Sequence, residues 1–127
     1  MNSQKTILLV EDDEDDQILF MIALKSITNA KLFDVANNGK EALEKLRKSE
    51  VLPTMIIMDI NMPVMDGIEC LSQITKDPRI NSVPVVILSS SIEGRQRVRE
   101  LGATAFIIKQ NSTISLQEEL KHILESE

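Results

Sequence analysis

The chain has 127 residues, of which 43% are hydrophobic and 27% are charged, as expected for one globular domain. Its formal net charge of −6 and its lack of Tyr and Trp argue against nucleic-acid binding, which needs a basic surface and rings on which bases stack. The sequence has neither a secretory signal nor an apolar run of about 20 residues, so we expect a cytoplasmic protein with no membrane partner.

Five short apolar runs alternate with segments in which apolar residues recur at helical spacing. In chain order, the predicted strand–helix pairs are 6–10 and 15–27, 31–36 and 39–48, 54–60 and 67–76, 84–88 and 92–101, and 104–108 and 115–126. The period of the first helix rests on Ile18, Leu19, Ile22, Ala23 and Ile27, which the pattern places on one face. Nearly continuous apolar strands favour burial on both faces, hence a parallel sheet between two layers of helices.

Acidic and polar residues stand at the carboxyl ends of four predicted strands, where ligands bind in such sheets. The first strand runs into Glu11 and Asp12, the third ends near Asp59, the fourth runs into Ser89, and the fifth ends at Lys109. Each residue alone is typical of an ordinary turn or solvated loop. Their joint occurrence at four strand ends predicts a single site along one edge of the sheet.

The residue types at this edge indicate phosphoryl transfer. Crowded carboxylates repel one another, and oxygen ligands of this kind favour Mg²⁺. A cation beside Asp59 would neutralise charge as a phosphoryl group approaches, while Lys109 would balance the transferred oxygens. Ser89 is positioned to donate a hydrogen bond to the phosphorylated form. We therefore expect Asp59 to be a nucleophile that forms an aspartyl phosphate.

Four stretches of the sequence resemble the receiver domain of bacterial response regulators, and the resemblance extends over essentially the whole chain. They are ILLVEDD at 7–13, MDINMPVMDG at 58–67, PVVILSS at 84–90 and AFIIK at 105–109. The resemblance implies a doubly wound, flavodoxin-like α/β fold, a (βα)5 three-layer sandwich with a parallel sheet of strand order 2-1-3-4-5. No linker is apparent, so we expect residues 1–127 to form a single receiver domain without an effector domain.

The resemblance also implies a metal site. Glu11 and Asp12 match the family's acidic pair, with Asp12 as the direct ligand of Mg²⁺. Asp59 matches the phosphoacceptor, which is itself a metal ligand in the family. Asn61 matches the position whose backbone carbonyl is a further protein ligand of Mg²⁺.

Three further positions match functional residues of the family, and two of them, Ser89 and Phe106, match its switching residues. Ser89 matches the Thr/Ser position and Lys109 the family's lysine, and both belong with Asp59 to the catalytic set. Phe106 matches the switch aromatic, which turns inward when the hydroxyl residue moves toward the phosphoryl group. One departure is Gln110, since the family usually has proline after the lysine, often through a cis bond. A cis bond without proline costs about 2.5–4 kcal/mol, so either isomer changes the geometry beside Lys109.

The function implied by the resemblance is that of a response regulator in a two-component system. We expect it to accept a phosphoryl group from a sensor histidine kinase or a histidine phosphotransfer protein, and then to act on an unknown target protein as a monomer or a phosphorylation-dependent homodimer. It is expected to catalyse only its own phosphorylation and dephosphorylation, so it is not otherwise an enzyme.

Three alternatives remain open at this stage. The protein is either a terminal output or an intermediate carrier in a phosphorelay, and the sequence does not separate the two. An aspartyl-phosphate phosphatase is less favoured, because Asn61 stands where such enzymes need a carboxylic general acid. A degenerate receiver that serves only for docking is disfavoured, since every expected type of site residue is present.

Overall fold

A computed structural model describes residues 4–109 and 113–126. Within these ranges, five β-strands alternate with five α-helices. The strands are β1 (Lys5–Val10), β2 (Ala30–Ala36), β3 (Met55–Met58), β4 (Val85–Ser89) and β5 (Ala105–Ile108). The helices are α1 (Glu14–Lys25), α2 (Gly39–Lys48), α3 (Gly67–Lys76), α4 (Arg95–Glu100) and α5 (Thr113–Ser126). None of these helices combines the length and the apolar character that crossing a bilayer requires.

The strands form one parallel sheet in the order β2-β1-β3-β4-β5. Helices α2, α3 and α4 bury apolar side chains against one face, and α1 and α5 against the other. All side chains of β3 and β4 are therefore buried, as the continuous apolar runs indicated. The predicted doubly wound sandwich and its strand order are confirmed.

Three helices begin at an Asx residue that follows a strand or loop. The side chains of Asp13, Asn38 and Asp66 each accept a hydrogen bond of 2.9 Å from the backbone N–H three residues later. These N-caps satisfy one of the free N–H groups at each helix start. They also determine which residues lie in the first turn, next to the carboxyl edge of the sheet.

The buried face of α1 differs from the one that the sequence pattern suggested. Ile18 and Ile22 are 52% and 53% exposed, whereas Phe20, Ala23 and Leu24 are buried against the sheet and α5. The helix carries apolar residues on two stripes, and only one stripe can face the sheet. Phe20 has the largest side chain of either stripe, so burying its stripe removes more apolar surface from water.

Element boundaries also shift at the edge of the sheet. Strand β3 ends at Met58, two residues before the predicted end, so Asp59 and Ile60 begin the following loop. Their backbone stays ordered, because Asp59 N–H donates to the Val10 carbonyl at 3.0 Å and the Ile60 carbonyl accepts from Gly67 N–H at 2.7 Å. The Lys109–Gln110 bond, for which the sequence leaves both isomers open, lies outside the described residues.

Candidate functional site

The carboxyl ends of four neighbouring strands bring the predicted site residues to one edge of the sheet. Glu11 directly follows β1, Asp59 directly follows β3, Ser89 is the last residue of β4, and Lys109 directly follows β5. Glu11, Asp59 and Ser89 are buried polar residues in an otherwise apolar core. Buried polar groups need hydrogen-bond or charge partners, so the contacts of these residues indicate the chemistry that the site supports.

The ammonium group of Lys109 lies at the centre of these contacts. Its Nζ is 2.8 Å from Glu11 Oε1, 2.8 Å from Asp16 Oδ2 and 3.1 Å from Asp59 Oδ2. An ammonium has three N–H donors, and here each one meets a carboxylate. The structure thus brings Lys109 together with Glu11 and Asp59, and adds Asp16.

The carboxylate of Asp59 is held from both sides. Its Oδ2 faces Lys109, and its Oδ1 accepts a hydrogen bond of 2.8 Å from the backbone N–H of Ile60. These contacts fix the rotation of the side chain at the sheet edge. The predicted nucleophile is therefore oriented rather than free to rotate.

Gly67 is required because of space and not because of an unusual backbone conformation. Its φ lies outside the left-handed region that favours glycine. A β-carbon at Gly67 would lie 2.2 Å from the carbonyl oxygen of Asp59. The absence of a side chain lets the start of α3 pack directly against the backbone of the predicted phosphoacceptor.

Three carboxylates form a cluster that fits a divalent cation. One oxygen each from Glu11, Asp12 and Asp59 lies within 4.8 Å of the others, with Asp12 exposed and the other two buried. Only oxygen ligands are offered, which suits a hard cation such as Mg²⁺. Asn61 is exposed and follows Asp59 by two residues, and its role as a carbonyl ligand stays a prediction.

Burial and charge shape the protonation of this cluster. Burial raises the pKa of Glu11 from 4.5 to about 7, although its hydrogen bond with Lys109 opposes the rise. Burial also disfavours the charge on Lys109, but hydrogen bonds to Asp16 and Glu11 outweigh it and raise the pKa of the ammonium. The lysine is thus held in its charged form, while Glu11 is a carboxyl group whose ionised form a nearby cation would favour.

Ser89 and Phe106 lie on neighbouring strands. The Ser89 hydroxyl accepts a long hydrogen bond of 3.4 Å from Ser91 N–H, and its backbone carbonyl accepts from Lys109 N–H at 2.7 Å. Phe106 is partly buried beside the core under α2, α3 and α4, and the guanidinium carbon of Arg95 lies 5.9 Å from its ring centroid. A coupled movement of Ser89 and Phe106 stays a prediction.

Asp16 is the site residue that sequence reasoning missed. In the sequence, Asp16 is one of six consecutive acids, and carboxylates there suit the start of a helix without any further role. The available signal was its spacing, since an Asp13 N-cap places Asp16 in the first turn of α1. Its contact with a residue 93 positions away could not be inferred from that spacing.

The family model for the response regulator receiver domain matches residues 7–121. The chain belongs to this family. This receiver domain is 36% identical over 117 residues to the protein-glutamate methylesterase/protein-glutamine glutaminase 1 of Syntrophomonas wolfei. That match covers 89% of the chain but 32% of the relative, so the chain spans about a third of the relative's length.

Two solved structures of response regulators resemble this receiver domain over nearly their whole length. The phosphorylated cyanobacterial phytochrome response regulator RcpA superposes with a TM-score of 0.86 at 32% identity, covering 97% of this chain and 93% of that one. The Mn²⁺-bound form of the response regulator Rcp1 superposes with a TM-score of 0.80 at 29% identity, covering 94% and 91%. One similar structure is thus of a phosphorylated protein and another of a metal-bound one.

Proposed function

We propose that this receiver domain accepts a phosphoryl group on Asp59 from a phosphohistidine of a sensor histidine kinase or a histidine phosphotransfer protein. The observation that carries the proposal is the position of Asp59, a buried carboxylate held between Lys109 and the acidic residues at one sheet edge. Buried charges of this kind are concentrated at functional sites.

In the proposed transfer, an oxygen of Asp59 forms a bond to phosphorus as the phosphorus–nitrogen bond of phosphohistidine breaks. The released imidazole nitrogen takes up a proton. The Lys109 ammonium, 3.1 Å from Asp59 Oδ2, is close enough to meet a transferred phosphoryl oxygen. The hydroxyl of Ser89 is the proposed donor to a second phosphoryl oxygen.

Glu11, Asp12 and Asp59, with the carbonyl of Asn61, are the residues that would hold Mg²⁺. When bound, this ion would neutralise the charge that accumulates as phosphoryl oxygens approach three carboxylates. The oxygen-only donor set within 4.8 Å and the burial of Glu11 support this assignment. Without a cation, the same carboxylates would repel an anionic donor.

The test is phosphorylation by acetyl phosphate with Mg²⁺, followed by intact-mass measurement. We expect wild-type protein to gain one phosphoryl group and Asp59→Asn to gain none. The matched control is Asp34→Asn, which removes an exposed carboxylate that pairs with Lys45, outside the site. A full phosphoryl gain in Asp59→Asn would place the acceptor elsewhere, and a gain that persists in chelator would refute the requirement for Mg²⁺.

We further propose that phosphorylation changes the surface formed by α4, β5 and α5, which then acts on a separate protein. Phe106 supports this proposal, because it lies on β5 with its ring under Arg95 of α4 and pairs in register with Ile87, two residues before Ser89. A beryllofluoride complex with Mg²⁺ should shift the amide signals of residues 89–101 and 106–110. Shifts confined to the loops around Asp12 and Asp59 would instead favour a carrier in a phosphorelay.

A further inference from the structure

Lys109 has more carboxylate partners than the proposed chemistry requires. Glu11 belongs to the cation cluster and Asp59 is the proposed acceptor, but Asp16 has no part in either role. Its Oδ2 nevertheless lies 2.8 Å from Lys109 Nζ, as close as the oxygen of Glu11. A third carboxylate on a lysine that is only 18% exposed calls for an explanation.

Asp16 is held in place by the start of α1. Its backbone N–H donates to the Asp13 cap at 2.9 Å. The next residue, Gln17, donates from Nε2 to the Glu11 carbonyl at 2.6 Å and to Asn37 Oδ1 at 3.0 Å. The first turn of α1 is therefore tied to the end of β1, which aims the Asp16 carboxylate at the end of β5.

The other two partners of Lys109 change when the site is used. A phosphoryl group on Asp59 removes the negative charge of that carboxylate, so its attraction to the ammonium weakens. A cation at the cluster competes for the oxygens of Glu11. Asp16 lies outside the three-carboxylate cluster, so neither the proposed phosphoryl group nor the proposed cation would take its place beside Lys109.

We propose that Asp16 is a positioning residue that keeps the Lys109 ammonium at the sheet edge while Glu11 turns to the cation and Asp59 to the phosphoryl group. This inference rests on the proposed function of Asp59. One of the three ammonium donors then stays engaged with Asp16, and the other two are free for phosphoryl oxygens. Without Asp16, the flexible side chain of Lys109 would spend less time pointing at the acceptor.

The direction of the change in phosphorylation rate distinguishes a positioning role of Asp16 from a general effect of its negative charge. Asp16→Asn keeps the shape but removes the charge-assisted hydrogen bond, so we expect phosphorylation by acetyl phosphate to slow about tenfold. Removing any nearby negative charge should by itself speed the reaction with an anionic donor. Asp15→Asn is the matched control, because Asp15 is an exposed acid in the same helical turn and its carboxylate makes no ion pair with the residues that the structure describes. It should be unchanged or slightly faster.

Two further measurements test whether Asp16 affects the phosphorylation rate through Lys109. In a double-mutant cycle, Asp16→Asn should have no additional effect on the rate when Lys109 is already replaced by Met. In metal-free protein, the ¹⁵N signal of the Lys109 ammonium should be sharp in wild type and broadened by solvent exchange in Asp16→Asn. Melting curves of each variant show whether the fold is kept.

The outcomes distinguish this inference from the function on which it rests. If Asp59→Asn is phosphorylated like wild type, the proposed function fails first. If wild type is phosphorylated on Asp59 but Asp16→Asn reacts as fast as Asp15→Asn, only the positioning role of Asp16 is refuted. Equal slowing by Asp16→Asn with and without Lys109 would also refute it, because the effect would not pass through the lysine.

Discussion

Gly67 begins α3 at the point where this helix touches the backbone of Asp59, and we expect Gly67→Ala to damage both stability and phosphorylation. A β-carbon there would lie 2.2 Å from the Asp59 carbonyl oxygen and 2.9 Å from the Ile60 α-carbon. Both neighbours are backbone atoms, so no side-chain rotation can make room. The φ of Gly67 is outside the left-handed region, and the obstacle is therefore steric alone.

The size of the effect follows from these distances. The new carbon and the oxygen must separate by about 1 Å to reach ordinary van der Waals contact. The movement either breaks the 2.7 Å hydrogen bond from Gly67 N–H to the Ile60 carbonyl or displaces Asp59. Overpacking of about 1–3 kcal/mol and the loss of one hydrogen bond of about 1 kcal/mol together predict a loss of about 2–4 kcal/mol.

Urea unfolding measures the free energy of unfolding. The initial rate of phosphorylation by acetyl phosphate with Mg²⁺ shows whether Asp59 is still placed to react. Gly102→Ala is the control, because the nearest described atom to a β-carbon there is Thr75 Cγ2 at 3.5 Å, although the φ of +106° is strained for alanine. It should lose about 1–2 kcal/mol without a change in phosphorylation. If Gly67→Ala loses less than about 1 kcal/mol and reacts at the wild-type rate, the close approach does not constrain the acceptor.

Three further predictions concern charge and backbone strain. Asp12 is the carboxylate of the cluster that makes no ion pair with Lys109. Asp12→Ala should therefore raise the melting temperature in chelator and reduce the increase that Mg²⁺ produces. A lower melting temperature in chelator would contradict repulsion among the carboxylates of the site. Glu11 has a pKa of about 7 in the folded protein against 4.5 ordinarily, so the folded state binds more protons between these values. In chelator, the free energy of unfolding should therefore decrease by about 3 kcal/mol as the pH rises from about 4.5 through about 7. Urea titrations at several pH values measure this decrease, which should be absent in Glu11→Gln. Val64 is 76% exposed and has a φ of +68°, which disfavours a β-branched residue. Val64→Asn should therefore increase the free energy of unfolding in urea by about 1 kcal/mol. A decrease would show that the contacts of the Val64 side chain contribute more than the backbone strain costs.

The order of strands and helices could be predicted from the sequence, because the period of apolar residues depends only on local geometry. The predicted bounds of α2 and α3 agree with the structure, at Gly39–Lys48 and Gly67–Lys76. In a parallel sheet, residues at carboxyl strand ends must share one edge, whatever the details of packing. For that reason the sequence alone places Glu11, Asp59 and Lys109 in one group.

Only the tertiary structure decided which surfaces meet. In α1, two stripes of apolar residues compete, and contact with the sheet and α5 selects the one that holds Phe20. The ion pair of Asp16 with Lys109 joins α1 to the end of β5, and its geometry depends on the angle at which the helix leaves β1. The approach of Gly67 to Asp59 depends likewise on how α3 packs. Local period and strand ends are properties of short segments, whereas these contacts depend on the relative placement of whole elements, which no short segment encodes.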